Sequence, residues 1–154
     1  MNKQTVGNVG LYYTCYRLSQ FGWNAMPTAR NAKGIDILAY SEDASRIKTV
    51  QVKTLSSRSN ISLDSTDNLI FDVLVICRLD DPANPKCFLL TRDRIKELRV
   101  PYGTGKKAKH WLRFQKYESQ EFLEKWEEKI GFGYLTPPSP PLPKTPRRGR
   151  GRGR

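Results

Sequence analysis

The sequence predicts an α/β fold with a central mixed sheet of about five strands flanked by helices. Three observations support this prediction. Apolar residues make up 38% of the 154 residues, which is enough for one ordinary hydrophobic core. Helical apolar spacing occurs near both ends of the first 134 residues. Between them lie short runs rich in β-branched and aromatic residues, which are typical of strands.

The first half of the chain contains one helix and three strands. Apolar side chains recur at helical spacing over residues 8–20, and Gly22 ends that helix. The three strands are predicted at residues 23–26, 34–40 and 49–55. The turn-like segment 41–46 predicts that the second and third strands form a hairpin.

The second half adds two strands and two helices. Residues 69–77 form a nearly continuous apolar run, which predicts a central strand covered on both faces. Residues 87–90 predict a strand paired with it. Thr91 is a suitable N-cap for a short helix. The last helix is predicted over residues 119–130.

The positive charge divides the chain into two parts. The formal net charge is +12, and half of it comes from residues 144–154, which contain six Lys and Arg and no acid. We therefore predict a folded domain at residues 1–134, then a proline-rich spacer and a disordered arginine–glycine tail at 135–154. Because both parts are basic, a polyanion is the expected partner, with nucleic acid favoured over an anionic membrane.

Other features exclude several classes of protein. The sequence has no apolar run of 18 residues and no apolar segment after Met1, so we expect no membrane span, no signal peptide and a cytoplasmic location. Three cysteines without a C-x-x-C pair argue against a zinc site. The single histidine, His110, is expected to be structural or a phosphate contact.

Three polar residues stand out in the two middle strands. If these strands are neighbours, they lie about 4.8 Å apart, and alternation directs Asp36, Gln51 and Lys53 away from the apolar side chains. Polar groups placed among Ile, Val and Leu carry a desolvation cost, which sequences tolerate mostly at functional sites. The alternative is a half-exposed strand, with Asp36 paired to Lys33 or Arg30.

These three side chains fit the hydrolysis of a phosphodiester. A carboxylate and an amide oxygen can hold a hard cation such as Mg²⁺. The cation would polarise the phosphate and lower the pKa of a bound water. A lysine can orient that water or offset the charge that builds up in the transition state.

The order of these residues resembles the PD-(D/E)xK nuclease superfamily, which has the restriction-endonuclease-like fold. The match is Gly34-Ile35-Asp36 followed by Gln51-Val52-Lys53, in the variant of the motif with glutamine in place of the second acid. The group that this motif resembles includes Holliday-junction-resolvase-like and mobile-element nucleases. The resemblance implies that Asp36, Gln51 and the Val52 carbonyl bind Mg²⁺ or Mn²⁺, and that Lys53 is the catalytic lysine. Many members pair up to cut two strands, so a homodimer is an open expectation.

The sequence departs from the family in one respect. Such nucleases often have a glutamate on the first helix, but residues 6–21 contain no acid, and Leu11 or Asn8 occupies the corresponding position. An acid from elsewhere could replace it: Asp64, Asp67 or Asp72. We favour Asp72, which is predicted to lie inside an apolar strand. The other possibility is that the fold is retained without cleavage.

Basic residues outside this constellation are candidate nucleic-acid contacts. They lie in the loop before the G-I-D motif, in a basic loop near His110, and in the tail. The residues are Arg30, Asn31, Lys106, Lys107, Lys109, Arg147, Arg148 and Arg150. The loop lysines have a solvated surface loop as their alternative interpretation. Trp111 and Phe114 are expected in the core rather than as stacking surfaces for bases.

Two functions follow from these expectations. The first is a metal-dependent nuclease that acts on DNA, with RNA as the other possible partner. The second is a non-catalytic nucleic-acid-binding module on the same fold, acting alone or as an accessory subunit.

Overall fold

A computed structural model describes residues 1–29, 34–63 and 69–134. The side chain of Lys107 and the predicted spacer and tail, residues 135–154, lie outside this description. None of the helices in the described ranges is long and apolar enough to cross a membrane.

The structure contains four α-helices and eight strands within these ranges. The helices are α1 (Lys3–Gln20), α2 (Arg92–Leu98), α3 (Phe114–Tyr117) and α4 (Trp126–Ile130). The strands are β1 (Asn24–Pro27), β2 (Ile37–Tyr40), β3 (Ile47–Leu55), β4 (Ile61–Leu63), β5 (Val73–Arg78), β6 (Lys86–Thr91), β7 (Val100–Tyr102) and β8 (Lys109–Leu112). A single 3-10 turn, Gly105–Lys107, connects β7 and β8.

Five of the strands form the main sheet, in the order β1-β2-β3-β5-β6. β3 and β5 are parallel, and every other neighbouring pair is antiparallel. This mixed sheet with helices confirms the predicted fold class and the predicted hairpin of β2 and β3. All six residues of β5 are buried, as predicted for a central strand.

One face of the main sheet packs against α1 and α4. The side chains of this first core include Leu18, Val50, Val75 and Trp126. α1 approaches β3 so closely that a Cβ on Gly10 would lie 1.9 Å from Thr54 Oγ1. The absence of a side chain at Gly10 therefore sets the distance between helix and sheet.

The other face carries a second core and a second sheet. The second sheet has the order β4-β8-β7, and all its strands are antiparallel. Its buried residues Ile61, Leu63 and Leu112 join Leu74 and Ile76 of β5 in the second core. The small sheet therefore covers part of the main sheet on the side opposite α1.

Several element boundaries differ from those predicted. α1 begins at Lys3, where Asn2 caps it by accepting a hydrogen bond from the Thr5 backbone N–H. β2 begins at Ile37 rather than residue 34, and β5 at Val73 rather than residue 69. The last helix is limited to Trp126–Ile130, because Glu124 adopts a positive φ of 54° just before it. The prediction missed the small sheet entirely.

Candidate active site

Asp36 lies immediately before β2, where the chain departs from regular strand geometry. Its backbone N–H donates to the Val50 carbonyl of β3 at 2.9 Å, while its own carbonyl accepts from the Thr28 N–H at 2.9 Å. In a regular strand the N–H and C=O of one residue point to the same neighbouring strand. At Asp36 they point to opposite neighbours, so the backbone is irregular at this residue.

The Asp36 carboxylate takes the place of a missing strand partner. Its Oδ2 accepts a hydrogen bond from the Val52 backbone N–H at 2.7 Å. The pairing of β2 with β3 does not extend beyond Ile37 and Val50, so no residue of β2 lies opposite Val52. The hydrogen bond thus holds the half-buried carboxylate against the segment 51–53, and Oδ1 receives no hydrogen bond from the described residues.

The Val52 carbonyl is directed to the same edge of β3. Thr49 and Leu55 make their backbone hydrogen bonds toward the β5 side, with Asp72 and Leu79 respectively. Backbone direction alternates along a strand, so Val52 faces the opposite side, where its N–H meets Asp36. The carboxylate and the carbonyl are therefore oxygen donors at one edge.

Gln51 and Lys53 share a face of β3 by alternation. Val50 belongs to the first core and Leu55 packs against the second, so Gln51 and Lys53 point to the side that carries the small sheet. Both are half-buried. Neither side chain makes a hydrogen bond or ion pair with the described residues. The structure thus places Asp36 directly against Val52, with Gln51 and Lys53 on either side of Val52 in the chain.

Asp72 differs from its prediction as a residue inside a strand. It precedes β5, where its Oδ2 accepts from the Thr49 backbone N–H at 2.8 Å and from the Thr49 hydroxyl at 3.0 Å. Its Oδ1 lies 3.8 Å from Arg92 Nη2. Sequence reasoning missed Arg92 and Thr49, although the position of Arg92 after the Thr91 cap placed it at a helix start. Asp72 therefore contacts β3 on its β5 side, opposite the edge at which Asp36 meets Val52.

The remaining candidates divide into described and undescribed residues. Arg30, Asn31, Asp64, Asp67 and the tail arginines Arg147, Arg148 and Arg150 lie outside the described residues. Lys106 and Lys109 are exposed around the turn between β7 and β8. His110 is half-buried with its Nδ1 buried, and it pairs with Leu63 in the small sheet. α1 contains no acid, in agreement with the sequence.

The oxygen donors suit a hard cation by type. Asp36, Gln51 and the Val52 carbonyl offer a carboxylate, an amide and a main-chain oxygen, which Mg²⁺ and Mn²⁺ accept. No group of three or more His, Cys, Asp or Glu that could hold a metal occurs in residues 1–29, 34–63 and 69–134. A cation at this edge would therefore meet a single carboxylate and would need further oxygens from water or phosphate.

Comparison with known proteins supports the fold. No family model matches the sequence, and no curated protein matches it. Among solved structures, a bacterial homing endonuclease, I-Ssp6803I, is similar with a TM-score of 0.52 and 15% sequence identity. The alignment covers 82% of this chain and 92% of that one. At this identity the similarity establishes the fold alone.

Proposed function

We propose that this protein is a metal-dependent nuclease that hydrolyses phosphodiester bonds in DNA. The observation that supports this proposal is the Asp36 carboxylate, fixed on the Val52 N–H at 2.7 Å beside Gln51 and Lys53. It occurs in a nuclease-like fold on a chain with a net charge of +12, which suits a polyanionic substrate.

Each residue has a distinct role in this proposal. Asp36, Gln51 and the Val52 carbonyl would hold Mg²⁺ or Mn²⁺, which supplies Lewis acidity toward a phosphate oxygen. Lys53 makes no ion pair with the described residues, so its ammonium group can interact with substrate. There it would orient the attacking water or stabilise negative charge developing on the phosphate. Arg92 and the exposed lysines would bind neighbouring phosphates.

A cleavage assay tests the proposal. Purified protein is incubated with duplex, branched and single-stranded DNA in the presence of Mg²⁺, Mn²⁺ or EDTA. Metal-dependent nicking is expected, and Lys53→Ala is expected to reduce it by about 10²-fold or more while changing DNA affinity only slightly. Lys48→Ala is the matched control, since Lys48 lies on the same strand but five residues away, on the other face. Equal cleavage by folded Lys53→Ala protein would exclude the catalytic role of Lys53.

The second candidate function is nucleic-acid binding without cleavage. It is favoured by the absence of an acid on α1 and by the hydrogen bonds and ion pair that engage Asp72. The same assay distinguishes the two functions. Binding of DNA without nicking under any metal condition would support the binding module and exclude the nuclease.

A further inference from the structure

The outer face of the small sheet carries an aromatic pair. Ile61, Leu63 and Leu112 point inward to the second core, so alternation directs Ser62 and Trp111 outward. Trp111 pairs with Val100 and Tyr102 with Lys109, so Tyr102 and Trp111 are diagonal neighbours on this outer face. Their rings stack with centroids 4.4 Å apart and planes inclined by 19°. Trp111 is thus not the core residue that the sequence predicted.

A hydrogen bond fixes the orientation of this pair. The Tyr102 hydroxyl lies 3.0 Å from the Ser62 hydroxyl, which links β7 to β4 across the intervening β8. Both rings are half-buried and keep exposed surface. The other two tryptophans, Trp23 and Trp126, are only 2% and 1% exposed and belong to the first core. The outer face therefore presents a preorganised aromatic surface, which loses little side-chain entropy on binding.

The charge around this pair is positive. The segment from Arg99 to Tyr117, which contains β7, β8 and the turn between them, has six Lys and Arg and no acid. Lys109 points outward with Trp111 by alternation, and Lys106 is exposed in the adjacent turn. Aromatic rings beside positive charges are the features by which sheets bind unpaired nucleotides.

We propose that the outer face of the small sheet binds single-stranded nucleic acid, with a base stacked on the pair Tyr102–Trp111 and the backbone along Lys106 and Lys109. The faces of bases are accessible only when they are unpaired, whereas a duplex offers phosphates and base edges. The inference adds to the proposed function a preference for substrates with unpaired segments. It depends on nucleic-acid binding but not on cleavage.

Tryptophan fluorescence tests this proposal in full-length protein. In EDTA, which prevents metal-dependent cleavage, an oligothymidylate of about 12 nucleotides is expected to quench the emission of Trp111 by stacking. A blunt-ended duplex of the same length, which has no unpaired bases, is expected to quench it less. Trp111→Phe leaves the two buried tryptophans, so the quenching should disappear. Equal quenching by duplex and single strand, or full quenching in Trp111→Phe, would overturn the proposal.

Affinity measurements separate stacking from charge. Tyr102→Ala should weaken binding of the oligonucleotide by about 5-fold to 100-fold at every salt concentration, because stacking is not a charge effect. Lys109→Ala should instead reduce the slope of log K against log salt by about 0.7. Tyr12→Ala is the control, since Tyr12 is 62% exposed on α1, away from the small sheet.

Two further results complete the test. Tyr102→Phe keeps the ring but not the hydroxyl, so it should bind within about threefold of the unaltered protein if stacking provides the affinity. Full affinity in folded Tyr102→Ala protein would show that the aromatic pair only stabilises the sheet. Quenching in EDTA together with no cleavage in the metal assay would support single-strand binding by the small sheet and exclude the nuclease. The failure of one proposal is therefore distinguishable from the failure of the other.

Discussion

Replacing Asp36 separates its structural role from its proposed metal-binding role. Asp36→Ala removes the oxygen that accepts the Val52 N–H at 2.7 Å. Asp36→Asn keeps a side-chain oxygen that can accept this hydrogen bond but removes the negative charge. Both variants therefore lose the negative charge, but only Asp36→Ala also loses the hydrogen bond to Val52.

The structural effect can be estimated from the hydrogen bond. Hydrogen bonds to charged groups contribute about 1.5–3 kcal/mol to stability. Because Asp36 and Val52 are partly exposed, the hydrogen bond between them should contribute about 1–2 kcal/mol. A change of 1 kcal/mol shifts the melting temperature of a domain of this size by about 2–4 °C. In EDTA we expect Asp36→Ala to melt about 2–8 °C below the unaltered protein, with Asp36→Asn between them.

The metal effect is estimated from mass action. A cation that binds only the folded state stabilises it by about 1.4 kcal/mol at ten times its dissociation constant. That corresponds to an increase in melting temperature of about 3–6 °C. We expect this increase for the unaltered protein with Mg²⁺ or Mn²⁺ and expect both variants to lose it, because a hard cation needs the carboxylate.

Thermal melts followed by circular dichroism, in EDTA and across a metal titration, measure both effects. Glu42→Gln removes an exposed acid elsewhere and controls for non-specific metal binding. A full metal-induced increase in Asp36→Asn would exclude Asp36 as a ligand. Identical melting of Asp36→Ala and the unaltered protein in EDTA would show that the hydrogen bond to Val52 does not stabilise the fold.

Three other predictions concern packing, pH and the tail. Gly10→Ala should lower the free energy of unfolding in denaturant by about 1–3 kcal/mol, because its methyl group would collide with Thr54. Gly7→Ala is the control: a Cβ at Gly7 has no atom within 4 Å, so this variant should be neutral or stabilising. The Asp43 carboxylate accepts a hydrogen bond from the Ser41 hydroxyl, which lowers its pKa to about 2. The ionised carboxylate therefore stabilises the fold above its unfolded pKa, and this contribution should be lost as the pH falls toward 2. An acid titration in which Asp43→Asn and the unaltered protein lose stability in the same way would contradict this prediction. Deleting residues 144–154, which carry six positive charges, should flatten the slope of log K for duplex DNA binding against log salt by about 3. The melting temperature should not change. An unaltered slope would exclude contact between the tail and DNA.

Hydrophobic periodicity predicted the elements that build the main sheet. The run at residues 69–77 predicted that β5 is an inner strand, because a strand covered on both faces is apolar along nearly its whole length. The small sheet was missed because its strands have three or four residues, too few for an alternation pattern. Pro101 also argues against a strand, although β7 is an edge strand that tolerates it.

The spacing of the polar residues predicted their neighbourhood but not their geometry. Pairing of β2 with β3 brings Asp36 to the level of residues 50–52, as the hairpin implied. The irregular backbone at Asp36 and the hydrogen bond of its carboxylate to a main-chain N–H have no signature in the sequence. The sequence also gave no indication that Thr49 and Arg92 would engage Asp72, because these contacts join segments that are far apart in the chain.

The charge balance of the site bears on both proposed functions. Asp36 contributes one negative charge and Lys53 one positive charge, so this edge of β3 does not repel a polyanion. For the same reason it attracts a divalent cation weakly, and Mg²⁺ sites of this kind commonly complete their coordination with substrate phosphates. Metal and DNA would then bind cooperatively, and each would raise the affinity for the other by the same factor. A nuclease built on these residues would therefore bind its metal more tightly with DNA than without it, whereas a binding module would hold DNA equally well without metal.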